Sequence, residues 1–116
     1  MANKTHIKKI QPVYFYDILL HGKRFEIRKN DCDYQVGDKV KLVLYNTNTQ
    51  IETSSYIFVK ITYILKDIPQ YGLDKDYCIF GFRVLEKSLE LGINVGGKNI
   101  RIEKDWVKLL KTLSSQ

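Results

Sequence analysis

Residues 22–38 read Gly22-Lys23-Arg24-Phe25-Glu26-Ile27-Arg28-Lys29-Asn30-Asp31-Cys32-Asp33-Tyr34-Gln35-Val36-Gly37-Asp38, and their first half decides the fold. From Arg24 to Arg28 charged and apolar residues alternate. Phe25 and Ile27 fall on one side, and Arg24, Glu26 and Arg28 on the other. A period of two belongs to a strand with one buried face. The expectation is that Phe25 and Ile27 point into the core and the charged row lies on the face away from it. Lys29 to Asp33 has turn chemistry, because Asn30, Asp31 and Asp33 can bond their own backbone. Val36-Gly37-Asp38 is a tight turn into another strand.

On the N-terminal side, His6 to Ile10 reads as a short strand. Pro12 suits a first helical position, where the missing N–H has no partner to lose. Val13 to Leu20 is a short apolar helix, and His21-Gly22 ends it, with Gly22 as a left-handed cap. On the C-terminal side, Lys39 to Tyr45 alternates with Val40, Leu42 and Leu44 inward. Asn46 to Ser55 reads as a polar loop. Tyr56 to Leu65 is a β-branched and aromatic strand with Ile57, Val59, Ile61 and Tyr63 on one face. Lys66 to Asp76 is a connection containing Pro69 and Gly72. Tyr77 to Leu85 is a further strand, and Gly81 within it marks a bulge or a close backbone approach. Gly96-Gly97 reads as a hairpin turn between Ile93-Asn94-Val95 and Asn99–Ile102. Trp106, Leu109, Leu110 and Leu113 share a helical stripe over Lys104–Leu113, with Lys104, Lys108 and Lys111 opposite. The pattern predicts a mainly β fold: a small antiparallel barrel, a helix after its first strand, and a C-terminal helix.

The chain has 116 residues, enough for one core and too few for two. With 44% hydrophobic and 28% charged residues it is an ordinary globular sequence. A net charge of +6 fits a polyanionic partner, and equally a lysine-rich solvated surface. Eight tyrosines suit strands, and also surfaces on which bases stack. The two cysteines, Cys32 and Cys78, make neither a disulfide framework nor a four-ligand metal site. No secretory or membrane-spanning apolar run is apparent, so the expectation is a cytoplasmic protein with reduced thiols and no membrane partner.

His6 and His21 stand alone, without a placed nucleophile, and read as structural. Cys32 lies between Asp31 and Asp33, whose charges disfavour a thiolate. Cys78 reads as core. Asp31, Asp33 and Asp38 match no metal loop, and no metal or other cofactor is assigned. Tyr14, Tyr16, Tyr34 and Tyr45 are candidates for stacking or for packing. Lys23, Glu26 and Arg28 read in two ways: a lateral ion pair that stiffens the rim, or a ligand-facing row of cation, carboxylate and guanidinium.

The order of features resembles the ASCH domain of the PUA-like superfamily. The resemblance is carried by His6-Ile7-Lys8, Tyr14-Phe15, Lys23–Asp31, Val36-Gly37-Asp38, Ile61–Leu65 and Gly72-Leu73, within about residues 5 to 86. It looks most like a phage and bacterial branch of unassigned function with this FEIRKND…VGD core. The resemblance implies a PUA-like barrel over residues 1–86; residues 87–116 have no counterpart in it and are expected to form a hairpin and an amphipathic helix packed on the same domain. It also implies a cleft beside the first helix that takes RNA or a nucleotide. Lys23, Arg24, Glu26, Arg28, Lys29 and Tyr14 are the residues expected to meet that ligand.

Some ASCH relatives are amidohydrolases with a lysine, a threonine nucleophile three residues later, and a distant glutamate. Lys23 matches the lysine, but Glu26 stands at the threonine position and cannot act as a hydroxyl nucleophile. Cys32 stands where the family usually has arginine, and Gly22 lies one residue later than the family's glycine. The leading expectation is therefore an RNA- or nucleotide-binding module. A hydrolase using Lys23 and Glu26 as an acid/base pair is the alternative. A third reading is a phage or mobile-element accessory protein that works by protein contacts through residues 87–116.

Overall fold

The computed structural model describes residues 3–47, 49–89, 91–95 and 98–102. Strand β1 (Thr5–Ile10) leads into helix α1 (Pro12–Leu20), followed by β2 (Phe25–Lys29), β3 (Lys39–Asn46), β4 (Ile51–Leu65) and β5 (Tyr77–Ser88). β6 (Leu91–Val95) and β7 (Lys98–Ile102) pair with each other as an antiparallel hairpin. The helix expected over Lys104–Leu113 and the Gly96-Gly97 turn lie outside the described residues.

The five strands β1 to β5 form one sheet in the order β1-β3-β4-β5-β2. β3, β4 and β5 are an antiparallel meander, β2 adds antiparallel to β5, and β1 adds parallel to β3. Register shifts in the β4–β5 ladder after Phe58 and after Ile61 add twist, and the sheet curls into a half-barrel. α1 joins β1 to the β2 edge. It buries Phe15, Ile18 and Leu19 against Val40, Leu42, Ile57, Val59, Ile61 and Phe80.

Local chemistry sets the helix ends. Pro12 opens α1, and the Gln11 carbonyl accepts the Phe15 N–H at 3.0 Å. At the far end the Asp17 carbonyl accepts both His21 N–H (3.0 Å) and Lys23 N–H (3.1 Å), and Gly22 takes φ +73°. That reversal throws the chain back along the helix and starts β2. Arg24 Nη1 donates to the Ile18 carbonyl at 2.8 Å and so satisfies a group near the helix end.

Gly37 takes φ +94°. Its N–H donates to the Ile61 carbonyl, and the Ile61 N–H returns to the Asp38 carbonyl, both at 2.8 Å. A Cβ at Gly37 would lie 2.6 Å from Asn3 Nδ2, the end of a side chain that can swing away. The left-handed backbone therefore sets the cost. Gly37→Ala is expected to destabilise the chain by about 1–3 kcal/mol, measurable as a lower urea midpoint.

Four expectations are corrected. The alternation in β2 is real, but its sense is reversed: Phe25 is 47% and Ile27 55% exposed, while Glu26 is only 5% exposed. β2 is an edge strand beside a hollow, so the side facing the sheet interior meets a polar recess rather than packed core. Tyr63 is also outward, because the register shift after Ile61 inserts Thr62 and flips the alternation. The loop expected over Asn46–Ser55 is shorter, since β4 begins at Ile51. Thr53 stays strand-like while its hydroxyl donates to the Leu44 carbonyl at 3.0 Å. β5 runs past residue 86 to Ser88, and Leu89 joins the core.

Candidate ligand cleft

The gap between the two sheet edges, β1 and β2, forms a cleft of about 1020 Å³ with α1 as its wall. Its residues come from the end of β1, one side of α1, and the turn into β2. Alternation in β2 aims Glu26 and Arg28 into it, and the Gly22 reversal brings Lys23 to the same place.

Glu26 is the centre of the site. Its Oε2 accepts from Lys23 Nζ at 3.0 Å. Its Oε1 is buried and has no hydrogen-bond partner among the described residues. The nearest cation, Arg28 Nη2, is 3.7 Å from Oε1, too long for a hydrogen bond. Arg28 Nη2 instead donates to the Lys9 carbonyl at 2.8 Å, linking the two edges of the sheet. Lys23 Nζ is held further by the Phe25 carbonyl at 2.6 Å. It lies over the rings of Tyr14 (5.5 Å) and Phe25 (5.1 Å), within cation–π range. A ligand would meet one unfilled carboxylate oxygen, two flanking cations and an exposed phenol ring.

Five of the six expected ligand residues line this cleft: Tyr14, Lys23, Arg24, Glu26 and Arg28. Lys29 does not; it points outward and pairs across the ladder with Tyr77. Arg24 stands at the rim with its guanidinium committed to the Ile18 and Lys23 carbonyls. Sequence reasoning missed Asp17 and the Lys9 carbonyl. Asp17 sits one helical turn after Tyr14, at i+3, and that spacing could have placed both on the cleft wall.

The other titratable groups build structure. His6 Nε2–H donates to Asp38 Oδ2 at 2.8 Å, and its ring packs 4.8 Å from that of Tyr34. Asp38 also accepts the Lys4 N–H (2.9 Å) and the Gln35 N–H (3.0 Å). Burial pushes its carboxyl up, but these hydrogen bonds outweigh it and hold Asp38 below the usual carboxylate range. Burial pushes the Tyr34 hydroxyl well above its ordinary value, assisted by the Cys32 thiol beside it. Cys78 is fully buried, and burial pushes its thiol up. Among the described residues no cluster of His, Cys, Asp and Glu forms a metal site, and no helix is long and apolar enough to cross a membrane.

Residues 5–82 match the family described as a domain of unknown function, DUF3850. The chain belongs to the DUF3850 family. The match begins with β1 and ends within β5, so the DUF3850 region contains β1 to β4, the first half of β5 and every residue of the cleft. Comparison with curated proteins found no match.

Proposed function

We propose that this DUF3850 protein is an ASCH-type, PUA-like module that binds RNA or a nucleotide in the cleft between β1, α1 and β2. The observation that carries the reading is the buried Oε1 of Glu26, which accepts no hydrogen bond among the described residues and has Arg28 Nη2 only at ion-pair range, 3.7 Å. A buried carboxylate oxygen without a donor costs about 1–3 kcal/mol or more, and a ligand N–H removes that cost. The exocyclic amino group of cytosine or adenine is such a donor. Arg28 and Lys23 supply charge for phosphate, and the exposed Tyr14 ring offers a stacking face. The free thiols of Cys32 and Cys78 support a reducing, cytoplasmic setting.

The Lys23–Glu26 pair at 3.0 Å also supports a hydrolytic variant of this reading, in which the free Glu26 oxygen takes a proton from water. One substitution separates the two. Glu26→Gln keeps the shape and removes the charge. Binding predicts that cytidine and adenosine monophosphates lose roughly tenfold in affinity while uridine monophosphate binds as well or better. Hydrolysis predicts turnover of nucleotide or RNA by the wild type that Glu26→Gln abolishes. Absence of nucleotide or RNA binding at low salt, together with absence of turnover, rejects both.

A further inference from the structure

Among the described residues, the outward face of β2, β5 and β4 carries an exposed apolar strip. Cross-strand register puts Phe25, Gly81 and Tyr63 in one row, and Ile27, Ile79 and Leu65 in the next. Tyr77 stands beyond them, opposite Lys29. Tyr63 is 63% exposed, and Ile27 and Tyr77 are exposed as well. Gly81 leaves the backbone between Phe25 and Tyr63 bare: these two Cα positions are two strand spacings apart, about 10 Å. A flat ring can rest on that floor, where a Cβ at Gly81 would meet only ordinary contacts, the nearest being Tyr63 Cβ at 3.7 Å.

Charge accompanies the strip. The adjoining row on the same face is Lys39, Lys60 and Arg83. Lys29 adds a cation at the opposite end, across the ladder from Tyr77, and the turn that precedes Tyr77 carries Asp74 and Asp76. In the row beyond, opposite Phe58, stands Glu86, whose carboxylate is engaged by the Tyr56 hydroxyl at 3.0 Å. A second copy docked here about a two-fold axis would bring parts of like-charged rows together. A strand of phosphates with unstacked bases meets both features at once: aromatic and aliphatic side chains for the bases, cations for the backbone.

We propose that this outer sheet face, centred on Tyr63 and Arg83 and meeting the cleft only at Phe25 and Ile27, is a second site that binds single-stranded nucleic acid by stacking on Tyr63. Tyr63 and Arg83 lie outside the cleft, so the two sites fail independently. The experiment measures anisotropy of a fluorescein-labelled 12-mer of single-stranded oligouridine, and of a matched RNA duplex, with the full chain across a salt series. The expected result is single-strand binding that Tyr63→Ala weakens about tenfold, and a flatter salt dependence in Arg83→Ala, by about 0.7 in log–log slope. The duplex, whose bases are already stacked, binds more weakly. Circular dichroism melting of both exposed-site variants should match the wild type, and uridine monophosphate binding in the cleft should be unchanged. Equal affinity for duplex and single strand overturns the proposal. So does an unchanged Tyr63→Ala, absence of oligonucleotide binding at low salt, or sedimentation showing this face closed by self-association.

Discussion

Asp38→Ala is expected to lower stability by about 3–5 kcal/mol, because it removes one side of a buried polar cluster and leaves the rest in place. Asp38 is 1% exposed and receives His6 Nε2, Lys4 N–H and Gln35 N–H. All three donors would lose their acceptor, and His6 Nε2 would remain buried without one. Urea unfolding checks the prediction: the midpoint should fall with little change in slope. The cluster also makes stability pH-dependent with a definite sign. The folded carboxyl titrates below its ordinary value of 3.8. The unfolded chain therefore binds more protons between the two values, and stability decreases as pH falls through that window. Above the unfolded value the contribution is fully present. Asp38→Asn, which cannot ionise, should flatten the acid limb of the stability curve relative to the wild type.

Phe80→Ala is expected to cost about 3–5 kcal/mol through the lost burial and the cavity that remains. Phe80 is fully buried; its ring lies 4.9 Å from Tyr34 and 6.2 Å from Phe82. It occupies the same ladder row as Glu26 on β2 and Ile64 on β4. The cavity would open beneath the strand that holds the cleft's carboxylate, so nucleotide affinity should fall along with the unfolding midpoint. Phe80→Leu, which refills most of the space, should cost clearly less on both readouts.

The elements set by local chemistry were legible in the sequence. Pro12 and Gly22 bracket the helix, and the alternation of Val40, Leu42 and Leu44 fixes the buried side of β3. In β2 the same alternation gave the period but not the sense. A two-residue repeat distinguishes two faces without saying which neighbour lies on each, and here the inner neighbour is a recess. Tyr63 was misplaced because a one-residue shift in pairing leaves no mark in the composition of β4. For the site, Lys23, Glu26 and Arg28 were readable because they fall close together in the chain. The Lys9 carbonyl and the depth of Asp38 depend on parallel pairing between segments more than 30 residues apart, which periodicity does not encode.

The cleft draws its residues from positions 9 to 28, and within that stretch the Arg28 guanidinium ties one bank to the other at the Lys9 carbonyl, but the banks themselves are set by strands outside it. One bank is fastened to β3 and the other to β5, with β4 bridging them. An excised peptide carrying the same side chains would have no banks. The smallest unit that keeps the hollow runs from β1 into β5, which is nearly the span over which the family is recognised.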